Sequence, residues 1–199
     1  DSIKVCTIDD PIADFTISDT AGCHILTVDV DTTGISTNGE YTWELFDQNG
    51  IIRHTIYTLT PSDTSFNLTN YSHDVDSTYT IKLTVGDPGT GCYHSYISDT
   101  ITVFPIPIPL ISTTNTCDND SVLFTDASNP SYSPLNSWEW DFGDINAGND
   151  TSSSQGPHEY VYVSSGQWNV SLTIGDENGC TDSISLPITI WPNPVAAFN

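Results

Sequence analysis

Between Tyr79 and Val85 the chain alternates strictly. Tyr79, Ile81, Leu83 and Val85 are apolar, Thr80, Lys82 and Thr84 are polar, and Gly86-Asp87 closes the run. Successive side chains of an extended strand point to opposite faces, so this spacing predicts a strand with one buried and one solvated face. The pattern is written again at Trp168, Val170, Leu172 and Ile174, alternating with Asn169, Ser171 and Thr173 and closing at Gly175-Asp176. No window places apolar residues at i, i+3, i+4 and i+7 between helix caps, and the chain reads as all-β.

Other features fall into the same frame, at offsets of roughly 87 to 95 residues. Cys23 precedes a strand with Leu26, Val28 and Val30 inward, as Cys117 precedes Val122 and Phe124; Trp43-Glu44 matches Trp138-Glu139, and Gly91-Cys92 matches Gly179-Cys180. Ile101-Thr-Val-Phe-Pro105 lines up with Ile188-Thr-Ile-Trp-Pro192, and Pro11-Ile-Ala-Asp-Phe15 resembles Pro194-Val-Ala-Ala-Phe198. We therefore expect two tandem immunoglobulin-like β-sandwiches. Module one covers 1–106, with 1–10 readable as the end of a preceding module; module two covers 107–199, with 194–199 readable as the start of the next. The junction carries Pro105, Pro107 and Pro109, which predicts a semi-rigid linker and an elongated monomer.

Composition narrows the function. Twenty-six Asp and Glu face three basic residues, Lys4, Arg53 and Lys82, for a formal charge of −23. Nucleic-acid binding needs clustered Lys and Arg, and an anionic membrane would repel this surface, so neither is expected as a partner. No apolar run approaches the ~20 residues that span a bilayer, so direct membrane insertion is not expected. Aromatics at 11% and abundant Val, Ile and Thr argue for a folded chain. Met is absent and the first residue is Asp1, which reads as a fragment of a longer secreted protein. None of the cysteines, Cys6, Cys23, Cys92, Cys117 and Cys180, forms a CxxC pair, which leaves disulfides or buried thiols and points to an extracellular setting.

No catalytic constellation emerges, and an enzyme is not expected. G-x-S-x-G, H-E-x-x-H and P-loop patterns are missing, and His24, His54, His73, His94 and His158 are scattered. Candidate oxygen clusters for Ca²⁺ are Asp29, Asp31 and Asp47 in module one and Asp126, Asp141 and Asp144 in module two, none at EF-hand spacing; a solvated acidic face is the competing reading. Tyr71, Tyr93, Tyr96 and Tyr132 stand in turn-like segments as surface aromatics for a polysaccharide or protein ligand.

The stretch Trp138-Glu-Trp-Asp-Phe-Gly-Asp144, then Pro157-His-Glu-Tyr160, Gly166-Gln-Trp-Asn-Val-Ser-Leu-Thr-Ile174 and Gly179-Cys180, resembles the PKD repeat. It is similar in particular to the cysteine-containing modules of large secreted surface proteins of Bacteroidetes, including gliding-motility adhesins. The resemblance implies an Ig-like sandwich used for spacing or for protein or carbohydrate contact, alongside neighbouring modules of the same chain, with Ca²⁺ in some members. Module one departs from it, since Trp43-Glu-Leu-Phe-Asp47 lacks the Asp-Phe-Gly-Asp turn. Read from the residues, Trp138, Trp140 and Phe142 fill the inter-sheet core, Asp141 points away, and His158 is a hydrogen-bonded structural residue. Asp followed by Ser or Thr and a small or aliphatic residue occurs at Asp1-Ser-Ile3, Asp19-Thr-Ala21, Asp99-Thr-Ile101, Asp120-Ser-Val122 and Asp182-Ser-Ile184. This is similar to the O-glycosylation signal of Bacteroidetes secreted proteins, with chance in an Asp-, Ser- and Thr-rich chain as the alternative.

Two disulfide schemes compete. The repeat frame pairs Cys23 with Cys92 and Cys117 with Cys180, leaving Cys6 odd, and a module that stands alone favours its own staple. In immunoglobulin topology, however, those partners fall at opposite ends of a sandwich, and a disulfide needs Cα atoms about 4.4–6.8 Å apart. The alternative pairs Cys23 with Cys180 and Cys6 with Cys92, leaving Cys117.

Overall fold

Alternation at the sequence level becomes two unlike sheet faces in the computed structural model, which describes residues 11–32, 39–58, 64–72, 74–87, 89, 91–114, 117–130, 132–145 and 147–196. The chain divides into two units, Asp1–Pro105 and Ile106–Asn199. Both are all-β sandwiches of immunoglobulin-like architecture.

In the first unit the described strands are β1 (Thr16–Ile17), β2 (Ala21–Cys23), β3 (Leu26–Asp31), β4 (Glu40–Asp47), β5 (Ile52–Thr58), β6 (Thr64–Leu68), β7 (Ser77–Asp87), β8 (Cys92–Ile97) and β9 (Ile101–Phe104). One sheet runs β1-β3-β6 and the other β2-β9-β7-β4-β5, with β8 also paired to β7. Val28 and Val30 of β3, Phe66 and Leu68 of β6, Tyr41, Trp43 and Leu45 of β4, and Ile81, Leu83 and Val85 of β7 meet between the sheets. Their polar alternates stay at the surface, as a period of two requires. Truncating Trp43, which is fully buried, to Ala would cost about 3–5 kcal/mol.

The second unit repeats this plan with β10 (Ile111–Thr113), β11 (Ser121–Asp126), β12 (Leu135–Asp141), β13 (Thr151–Ser152), β14 (His158–Val161), β15 (Gly166–Asp176) and β16 (Thr181–Ile190). Its sheets run β10-β11-β14 and β13-β12-β15-β16. Val122, Phe124, Trp140, Phe142, Tyr162, Val170, Leu172 and Ile174 form the core. Strand β16 merges what β8 and β9 do separately. It lies at the sheet edge and holds Pro187 opposite Asn169 without breaking the ladder. A parallel bridge between Cys117 and Trp191 matches the parallel pairing of Cys23 with Phe104.

The registers correct one element of the repeat frame. Leu83 in β7 pairs with Trp43, and its counterpart Leu172 in β15 pairs with Trp140, not Trp138. The core sets this register: Trp43 and Trp140 are both 1% exposed, whereas Trp138 is half-buried beside them. Shifted by two, Trp43-Glu-Leu-Phe-Asp47 lies on Trp140-Asp-Phe-Gly-Asp144, with Phe46 in the place of Gly143, so the first module lacks the glycine turn of the second.

Candidate functional site

The first module opens beside its β4–β5 hairpin into a groove of about 610 Å³. Asp47 builds the hairpin. Its carboxylate accepts the backbone N–H groups of Asn49 at 2.9 Å and Ile51 at 3.0 Å, and Gly50, at φ 71°, takes the left-handed conformation of the turn. Arg53 donates through Nε (2.7 Å) and Nη2 (2.5 Å) to the same carboxylate. The Ile51 N–H holds the Asp47 carboxyl below the usual carboxylate range; the Asn49 N–H and Arg53 add to this against an opposing effect of burial. Asp47 therefore stays ionised and fixes the guanidinium in place.

A bulge then re-aims two side chains. Leu45 lies opposite His54 and Phe46 opposite Ile52, so the pairing skips Arg53. Regular pleating would send Arg53 and His54 to opposite faces, yet with the bulge both line the groove. The His54 ring stands edge-on to Phe66, centroids 6.3 Å apart, and forms no hydrogen bond among the described residues. Asn67 on β6 accepts the Thr27 hydroxyl at 2.8 Å through Oδ1, which leaves its amide nitrogen unpaired there. Tyr79 donates its hydroxyl to the Thr69 carbonyl and fixes the loop after β6. That loop carries Tyr71, 84% exposed and edge-on to His24. Fixed donors beside an open aromatic ring suit the holding of a polar ligand. Sequence reasoning kept Tyr71 as a surface aromatic and passed over Arg53 and His54. The signal was there in Asn49-Gly50, a hairpin turn between two alternating runs.

In the second module the same strand end closes differently. Gly143, at φ 76°, donates its N–H to Asp141 Oδ1 at 2.7 Å, and a Cβ there would lie 2.4 Å from the Asn169 carbonyl oxygen. Phe142 stacks on Tyr160 at 4.8 Å, and the Tyr162 hydroxyl donates to the Phe142 carbonyl at 2.7 Å. Burial, then the neighbouring Asp144 charge and its hydrogen bond, push the Tyr160 phenol up to about 12. His158 packs edge-on against Trp140 and Phe142 while its Nε2 bonds the Ser154 carbonyl oxygen.

Residues 105–190 match the PKD domain family. Solved structures similar to the chain include the PKD1 domain from the Vibrio cholerae metalloprotease PrtV, at 26% identity over 43% of this chain and 98% of that one, TM-score 0.37. The PKD1 domain of Vibrio anguillarum Epp is similar at 27% identity over 44% and 96%, TM-score 0.38. Fibronectin(III)-like modules of Clostridium thermocellum CbhA are similar at 13% identity over 93% and 100%, TM-score 0.37. No curated protein matches the sequence.

Within the second module the expected Ca²⁺ ligands are not gathered. Asp126 accepts from Trp138 Nε1 at 2.8 Å, from the Ser128 N–H at 2.9 Å and from Gln155 at 3.3 Å. Asp141 caps its own turn, and Asp144 is buried against the Tyr160 hydroxyl. Among the described residues no three His, Cys, Asp or Glu side chains come together around a metal-sized gap, those of Asp29, Asp31 and Asp47 included.

The cysteines also depart from the within-module scheme. Cys23, Cys92 and Cys180 are disulfide-bonded and Cys117 is a free thiol, so the pair Cys117–Cys180 is not formed. Cys23 lies opposite Phe104, next to Val103 and the Ser77 end of β7, whereas Cys92 lies opposite Asp87 at the other end. That strand length, on the order of 30 Å, is far beyond disulfide reach. Cys6, His73 and Asp1-Ser-Ile3 lie outside the described residues. Of the surface tyrosines, Tyr93 lies across the buried backbone of Gly86 and Tyr96 edge-on to Phe15, while Tyr132 is exposed. Thr20, Thr100, Ser121 and Ser183 of the Asp-Ser/Thr motifs are exposed.

Proposed function

We propose that the chain is a repeat segment of a secreted bacterial cell-surface adhesin, a non-enzymatic spacer in attachment or gliding. The observation that carries this reading is the presence of disulfide-bonded cysteines, Cys23, Cys92 and Cys180, in both of two sandwiches built on one frame. Disulfides persist in oxidising, extracellular compartments, and the PKD family match at 105–190 fits a module of an extracellular protein. The exposed hydroxyls of the Asp-Ser/Thr motifs support a surface context, since glycans there would shield the modules. Antibody raised against the chain should label intact, unpermeabilised cells, and deletion of the segment from its parent should reduce cell attachment. Labelling that appears only after permeabilisation overturns the reading. A second reading, an accessory carbohydrate- or protein-binding module of a secreted hydrolase, is favoured by the groove at Arg53 and His54.

A further inference from the structure

We propose that the groove of the first module binds a neutral hexopyranose glycan, seated on Tyr71 and hydrogen-bonded by Arg53, His54 and Asn67. The proposal deepens the reading of the groove as a contact site and rests on it. The cavity, about 610 Å³, lies within the range of about 300–1,000 Å³ in which small ligands are held. Its chemistry is of two kinds, and a pyranose needs both. A sugar ring has a face of C–H groups that packs on an aromatic ring, and Tyr71 presents such a ring almost fully to solvent. The equatorial hydroxyls at the ring's rim are best met by donors already fixed in direction.

Arg53 supplies those donors. Two of its N–H groups are spent on Asp47, which holds the guanidinium plane still, and a guanidinium carries five. The remaining ones are presented at the groove by a side chain that is 55% exposed. The His54 ring nitrogens line the groove beside Arg53 and can meet a hydroxyl, and Asn67, whose Oδ1 already accepts from Thr27, keeps its amide nitrogen for donation from the facing strand. Because Arg53 is held by Asp47 and Asn67 by Thr27, little conformational entropy remains to be lost in those two side chains on binding.

Charge decides between a neutral and an acidic glycan. The Asp47 carboxylate cancels Arg53 locally, and the chain as a whole carries a formal charge of −23. A polyanion would be repelled by that field and would compete with Asp47 for the guanidinium. A neutral sugar meets neither obstacle.

The test is affinity electrophoresis of the full chain through gels containing glucomannan, xyloglucan or mixed-linkage β-glucan, with polygalacturonate as the acidic arm. The retarding polymer's oligosaccharide is then titrated calorimetrically. At least one neutral polymer should retard the chain, undiminished at roughly 0.5 M salt, where charge attraction is screened. Tyr71→Ala should weaken binding about tenfold or more, and His54→Ala by several-fold. Both positions are exposed, so melting temperatures should stay unchanged, and Tyr132→Ala in the other module should bind as the parent does. Retardation by no neutral polymer, retardation by polygalacturonate alone, or undiminished binding by Tyr71→Ala overturns the proposal. These readouts use purified chain, so their failure leaves the cell-labelling result standing, and the reverse holds too.

Discussion

Gly143 and Gly50 are a matched pair of perturbations. Both occupy left-handed backbone, at φ 76° and 71°, so replacing either with Ala should cost about 1–2 kcal/mol for the forbidden conformation alone. They differ in their surroundings. A Cβ at Gly50 meets nothing within 4 Å, whereas one at Gly143 would lie 2.4 Å from the Asn169 carbonyl oxygen and 3.1 Å from its carbon. Those atoms are β15 backbone, which cannot rotate away as a side-chain tip would. Relieving the overlap requires parting the strands, an overpacking cost of about 1–3 kcal/mol. Gly143→Ala should therefore lose about 2–5 kcal/mol against about 1–2 for Gly50→Ala. For modules near 100 residues each kcal/mol lowers Tm by roughly 4–8 °C, which gives a fall of about 8–40 °C for the second module against about 4–16 °C for the first. Calorimetry reads both, and tryptophan emission reads mainly the second module, which holds Trp138, Trp140, Trp168 and Trp191 against Trp43 alone in the first. Equal losses for the two variants would refute the close-approach argument and leave only the backbone term.

Two further outcomes are expected. Iodoacetamide applied to the native, unreduced chain should label Cys117 and spare Cys23, Cys92 and Cys180; peptide mapping that finds Cys180 alkylated contradicts the bonding described. Burial pushes the Asp126 carboxyl up, but hydrogen bonds from Ser128, Trp138 and Gln155 outweigh it and leave it below the usual range. Its contribution is thus present above the unfolded carboxyl pKa of about 3.9 and lost as pH falls through the depressed folded value. Asp126→Asn should be less stable than the parent by about 1 kcal/mol at pH 6 and converge on it toward pH 2, read from urea midpoints; a gap that persists at pH 2 counts against the ionised carboxylate.

Strand faces were readable in the sequence because alternation is a local property: Ile81, Leu83 and Val85, and Val170, Leu172 and Ile174, are all fully buried. The tryptophan match failed because two candidates, Trp138 and Trp140, stand on one face, and only the cross-strand register shows which one fills the place of Trp43. Acidic residues misled for a related reason. Composition counts carboxylates but not the donors already aimed at them, and Asp126 is spent on Trp138, Ser128 and Gln155. The groove was missed because it is assembled from four strands and one skipped pairing at Arg53. A register shift of that kind leaves no mark in hydrophobic periodicity.

Pro187 has a consequence for life in a crowd. A sheet edge is a template on which a further strand can grow, and β16 is a ten-residue edge with Ser183, Ser185 and Pro187 exposed along it. Proline survives within a ladder only when its nitrogen faces away from the paired strand, so the missing N–H falls on the open side. A strand arriving from another copy would find a gap in the donors it needs and a ring in its path. Where many copies are displayed side by side, a single proline then keeps neighbouring sandwiches from zipping into a common fibre.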